Sequence, residues 1–112
     1  MPSPYQRPRS VLYVGQRYDL LAALQERFAQ LDCLVVRCPA NGVPEARLFI
    51  ESDITYEVFL FDEVLGGATG AELESFALSF YHRARTPALI VSEADDAAAL
   101  AERVRRLLCA RD

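Results

Sequence analysis

The chain contains no lysine and no tryptophan, and only one histidine and one methionine in 112 residues. Its 12 basic residues are therefore all arginines. Chemistry that needs an ammonium group, as a Schiff-base amine or a phosphate ligand, is excluded. Cysteine is scarce. Cys33, Cys38 and Cys109 form neither a CxxC pair nor an even set, which argues against a disulfide framework or a tetrahedral zinc site; reduced, partly buried thiols are expected. No apolar run approaches the ~20 residues of a membrane span. The opening MPSPYQRPRS carries three prolines and no apolar stretch, so it does not read as a signal peptide. The net charge of −4 offers no cationic surface for nucleic acid. A cytoplasmic protein with neither a membrane nor a nucleic-acid partner is expected.

What remains is ordinary for one globular domain: 52% hydrophobic and 25% charged residues. Residues 1–9 read as a proline-rich tail and residues 10–112 as the domain. Four short apolar runs, Val11–Val14, Cys33–Val36, Val58–Phe61 and Ala88–Val91, have the pattern of parallel strands covered on both faces. Helical spacing fills the gaps. Leu20, Leu24, Phe28 and Leu31 share one face, with Leu21 beside them and Asp19 placed to cap. A second helix falls around Glu45–Glu51. A third carries Leu73, Phe76, Ala77 and Phe80. The last, about Asp96–Ala110, carries Leu100, Val104, Leu107 and Leu108. Alternating strands and helices predict an open parallel α/β sheet with helices on both faces. In such sheets function gathers at the carboxyl ends of the strands. Here those ends are Gly15-Gln16-Arg17, Asp62-Glu63 and Ser92-Glu93.

The stretch VFLFDEVLGGATGAEL (residues 58–73) resembles the third strand and following loop of the receiver domain of bacterial response regulators, with Asp62 at the phospho-accepting position and Gly70 eight residues on. VLYVGQRYDLLAALQERFAQLDCLVV (residues 11–36) is similar to the family's first strand, first helix and second strand. TPALIVSEAD (residues 86–95) is similar to its fourth strand, with Ser92 at the Ser/Thr position. The resemblance runs from residue 10 to about 95 and implies a flavodoxin-like sheet. It also implies a set of parts: an aspartate that attacks a phosphoryl group in line, Mg²⁺ held by carboxylates, and a hydroxyl and a lysine that hold the product.

Most of that set is absent. Gly15 and Gln16 stand where the metal-binding acid pair is expected, and Glu63 alone does not restore a cage. No lysine exists. Gly66 replaces the usual loop proline, which predicts a looser loop. Ser92 either keeps a switch role or satisfies local backbone groups. Arg17 either pairs with Asp62, supplying charge in place of a metal, or faces solvent. No cofactor is expected, and Mg²⁺ only if the pocket functions after all.

The resemblance also implies a shortened domain. AAALAERVRRLL (residues 97–108) looks like the family's final helix, with the fourth helix and fifth strand missing, or else the chain stops after the fourth helix. Either way four strands are expected in the order 2-1-3-4. The fourth strand then becomes an edge, and a homodimer through it and the last helix is predicted, with Leu89, Ile90, Leu100, Val104 and Leu107 as interface candidates. Arg103, Arg105, Arg106 and Arg111 read as a helix with charges matched to its dipole rather than a nucleic-acid patch. His82 reads as a polar end of the third helix, and Gly66–Gly70 as a loop rather than a phosphate cradle. The expected function is a non-enzymatic signalling or protein-interaction module of two-component phosphorelay type, a pseudo-receiver whose partner is a histidine kinase or another signalling protein. The alternatives are a receiver phosphorylated on Asp62 and a small α/β enzyme or ligand-binding domain.

Overall fold

Two strands have no polar side. In the computed structural model, which describes residues 9–30, 33–38 and 43–111, Val11 to Val14 of β1 (Arg9–Val14) and Val58 to Phe61 of β3 (Val58–Asp62) are fully buried. They lie at the centre of a four-stranded parallel sheet, flanked by β2 (Cys33–Cys38) and β6 (Ala88–Val91) in the order β2-β1-β3-β6. β1 pairs with β2 from Arg9↔Cys33 to Val14↔Cys38, so Arg9 belongs to the sheet rather than to the tail. The other tail residues, Leu31 and the side chains of Cys38 and Arg111 lie outside the described residues.

Strand alternation sends side chains to two cores. Val11, Tyr13, Val58, Leu60 and Val91 pack under α1 (Tyr18–Ala29) and α4 (Ala97–Arg111). Leu12, Val14, Phe59 and Phe61 pack under α2 (Val43–Glu51) and α3 (Gly70–Leu78). The helices bury the faces that their spacing indicates: Leu20, Leu21, Leu24 and Phe28 in α1, and Leu73 and Ala77 in α3. Asp19 is not a cap. Arg17 occupies that position without a side-chain bond, and Asp19 sits in the first turn, where its charge suits the positive end of the helix dipole. Thr69 and Asp96 supply true caps, accepting from the backbone N–H of Glu72 and Ala99 at 3.1 and 2.8 Å. No helix among the described residues is long and apolar enough to cross a membrane.

The side of the sheet on which α4 lies settles its place. A right-handed crossover from β6 to a further parallel strand beyond it would lie with α3. Instead α4 lies beside α1, where a closing helix packs. Leu100 and Val104 are fully buried there, so these two interface candidates belong to the chain's own core and are unavailable to a partner. Leu107 is half-buried on the same helix, and Leu89 and Ile90 are half-buried on the edge strand.

Between α3 and β6 a 3₁₀ turn, Tyr81–Arg83, places an arginine inside the protein. Arg83 is only 4% exposed. It donates from Nε to the carbonyl of Ile50 at 2.9 Å, and from Nη2 to those of Phe49 and Ser52 at 3.3 and 2.8 Å. Its guanidinium lies over the rings of Tyr56 and Phe59. These carbonyls lie at the end of α2, where Phe49 also accepts from Ser52, and Arg83 helps to close that end. His82 serves the same end: its Nε2 lies 3.0 Å from the Ser52 carbonyl, so it assists α2 rather than terminating α3. Burial lowers the Arg83 pKa from its ordinary value. Arg83→Ala is expected to lower the unfolding free energy by about 3 kcal/mol in urea denaturation, because buried carbonyls lose their donor. Arg83→Lys is expected to recover little, since one ammonium cannot span the three acceptors.

Candidate functional site

The carboxyl ends of β1, β3 and β6 meet around an open depression of about 630 Å³, lined by Gln16, Arg17, Asp62, Glu63, Val91, Ser92 and Glu93 among others. Asp62, at the end of β3, is 8% exposed. Its carboxylate is bonded on both oxygens. Tyr13 Oη donates to Oδ1 at 2.8 Å, and the backbone N–H of Gln16 donates to Oδ2 at 3.1 Å. The Tyr13 oxygen in turn accepts from the N–H of Arg17 at 3.1 Å. Burial, then the bond to Asp62, raises the Tyr13 pKa well above the ordinary tyrosine value.

This arrangement dictates the residue at position 15. A Cβ on Gly15 would lie 2.3 Å from Asp62 Oδ2 and 2.4 Å from Tyr13 Oη. The aspartate and the tyrosine fill the space where any side chain would begin. The eight-residue spacing from Asp62 to Gly70 has a similar origin. A Cβ on Gly70 would meet the Asp62 carbonyl at 2.5 Å, because α3 starts directly against the end of β3. Between them, β4 (Val64–Leu65) and β5 (Ala68–Thr69) form a small antiparallel hairpin. The loop expected to be loosened by Gly66 is thus a paired turn, with Gly67 at φ +104° supplying the backbone conformation that tight turns need. Glu63 is exposed on the rim; its backbone N–H bonds the Val91 carbonyl and its carbonyl accepts from Gly70 N–H.

Arg17 neither pairs with Asp62 nor faces open solvent. Its Nη1 donates to the Ser92 carbonyl at 2.8 Å and its Nη2 to the Asp95 carbonyl at 3.0 Å. The guanidinium fork matches two carbonyls of one turn, so it staples the loop after β6 to the loop after β1. That turn is closed internally. The Asp95 carboxylate accepts from Ser92 N–H at 2.8 Å and from Ser92 Oγ at 3.3 Å. The Ser92 hydroxyl is therefore committed to a local bond.

A crystal structure of the receiver domain from the hybrid histidine kinase CckA superposes on this chain with a TM-score of 0.67. The match covers 88% of this chain and 98% of that one at 17% identity. The chain has the receiver-domain fold. No family model matches its sequence, and neither does any curated protein.

Receiver folds of the phosphorylated kind call for Mg²⁺ beside the aspartate, and the residues here do not fit that ion. A cation needs converging lone pairs. The two oxygens of Asp62 instead point at a hydroxyl hydrogen and an amide hydrogen. Gly15 has no room for a carboxylate, and Gln16 is exposed. Among the described residues no cluster of three His, Cys, Asp or Glu side chains could hold a metal. Of the residues singled out in the sequence, Gly15, Gln16, Asp62 and Ser92 come together as expected, with Glu63 on the rim. Tyr13 and Asp95 escaped notice. The only trace of Tyr13 was a hydroxyl inside an otherwise aliphatic strand, two residues before a glycine.

Tyr13→Phe is expected to lower stability by about 1–3 kcal/mol, since a buried carboxylate oxygen loses its donor. The pH dependence follows from the direction of the shift. With the folded pKa above the ordinary value of about 10, the contribution of Tyr13 is complete below that pH. It is lost as pH rises through the folded value, because only the unfolded chain ionises readily. Cys33, whose thiol burial raises to about 11, adds to the same alkaline loss. Denaturation series across alkaline pH should show stability falling, with a shallower fall in Tyr13→Phe. Tyrosinate absorbance should show one of the five tyrosines ionising only as the protein unfolds.

Proposed function

We propose that this protein is a receiver-fold interaction module of two-component signalling type that works without phosphorylation. The supporting observation is the Asp62 carboxylate with both oxygens bonded from within the chain. In-line attack on a phosphoryl group needs a free carboxylate oxygen and cationic groups for the charge on the transferring oxygens. Here the guanidinium that lines the pocket, that of Arg17, is spent on backbone carbonyls, and the Ser92 hydroxyl on Asp95. The sequence holds no lysine to receive the product. The pocket then acts as a structural joint that keeps three loops in one arrangement, and a protein partner reads that arrangement. On this reading the chain is not an enzyme, takes no metal, acts in the cytoplasm and binds a histidine kinase or another signalling protein.

Two treatments test the reading. Incubation with a small acyl phosphate and Mg²⁺ should leave the intact mass unchanged, and beryllofluoride with Mg²⁺ should leave the backbone amide spectrum unchanged. A phosphoryl adduct that disappears in Asp62→Asn would establish a working phospho-acceptor and sink the proposal.

A further inference from the structure

β6 is an edge strand whose outer row of backbone groups is open. The N–H groups of Phe59 and Glu63 donate to the carbonyls of Pro87 and Val91, each at 2.9 Å. The residues turned towards β3 are therefore 87, 89 and 91, and alternation turns the N–H and C=O of Ala88 and Ile90 outward. No described residue bonds them. The row ends at Ser92, whose backbone groups are held by Asp95 and Arg17. Apart from its shortness, four residues, Ala88–Val91 carries no guard against edge pairing: there is no lysine, no bulge and no proline. Pro87 does not interrupt the row, because its missing N–H would have faced β3. Beside the edge, a depression of about 320 Å³ lined by Ala77, Leu78, Ala84 and Ala88 among others leaves the α3 side uncovered.

We propose that two copies of this chain pair antiparallel along β6 about a two-fold axis at Leu89, forming one continuous eight-stranded sheet. Two-fold symmetry requires the same strand to meet itself antiparallel. An outward residue must face an outward residue, which restricts the register. With the axis at Leu89, Ala88 of each copy faces Ile90 of the other, and all four outward groups of each strand find partners. With the axis at Ile90, Ala88 would face Ser92, whose groups are already bonded.

The Leu89 register is also the one that the charges favour. Counting outward from Leu89, four residues lead to Arg85 in one direction and to Glu93 in the other. Both residues stand in the turns that flank β6, so at each end of the pairing the turn carrying Arg85 of one copy comes beside the turn carrying Glu93 of its mate. Both side chains are exposed and neither has an ion partner among the described residues. Opposite charges brought together across an interface favour that register, and like charges disfavour it. The dimer does not depend on the state of Asp62, so it stands or falls separately from the function proposed above.

Charge reversal provides the test, read by sedimentation velocity over a concentration series, with thermal melts confirming that each variant is folded. The wild type is expected to dimerise. Arg85→Glu and Glu93→Arg should each weaken the dimer by about tenfold or more, and the double variant should restore it to within about threefold of wild type. A wild type that stays monomeric to concentrations on the order of 100 μM would overturn the proposal. A dimer indifferent to both reversals would overturn it equally.

Discussion

A carboxylate sunk at the end of a buried strand must be satisfied, and the hydrogen bond from Tyr13 to Asp62 is how this chain does it. A receiver fold can meet that demand with a metal ion or with internal donors. Here the donors are a phenol on β1 and the amide at the start of the next loop. That choice propagates. The carboxylate and the phenol together exclude any side chain at Gly15, which removes the place for a metal-binding acid. The phenol also accepts the N–H of Arg17 and so orients the first turn of α1.

Arginine carries the second layer of organisation. Arg17 and Arg83 both direct their guanidinium groups at backbone carbonyls, not at carboxylates. Each joins segments remote in sequence: Arg17 the loops after β1 and β6, and Arg83 the end of α2 and the turn before β6. A planar fork with several donors can bridge two or three carbonyls at once, which an ammonium group cannot do with fixed geometry. The exposed ion pairs of α4, Glu102 with Arg105 and Arg106, belong to a different class. Their neighbours hold the Glu102 carboxyl down at about 2, yet pairs so open to solvent contribute little to stability.

The sheet is organised by handedness and coverage. β1 and β3 need helices on both faces, and α1 with α4 on one side and α2 with α3 on the other provide them. With α4 closing the α1 side, no strand among the described residues continues the sheet past β6. The half-buried Leu89 and Ile90 and the outward row of backbone groups follow from that one placement.

Much of this architecture was legible in the residues. Four short apolar runs had the pattern of parallel strands, and the gaps between them held helical spacing; the two central strands are covered on both faces, whereas Leu34 of β2 is exposed. The pairing order came with the resemblance to receiver domains, and Gly15, Asp62 and Ser92 marked three strand ends. The residues that decide the site were not legible. Tyr13 reads as one more bulky residue in a buried strand, and only its direction towards Asp62 makes it a donor. Arg17 had two expected destinations and takes neither: it reaches a pair of carbonyls about 75 residues away, in a loop whose position depends on β6 and α4. Leu100 and Val104 looked like surface candidates until α4 was seen to lie against α1. Local pattern determines which segments are strands and helices, because periodicity is a property of neighbours in sequence. Which hydroxyl, guanidinium or leucine meets which partner is decided only when strand register and helix side bring distant segments within bonding distance.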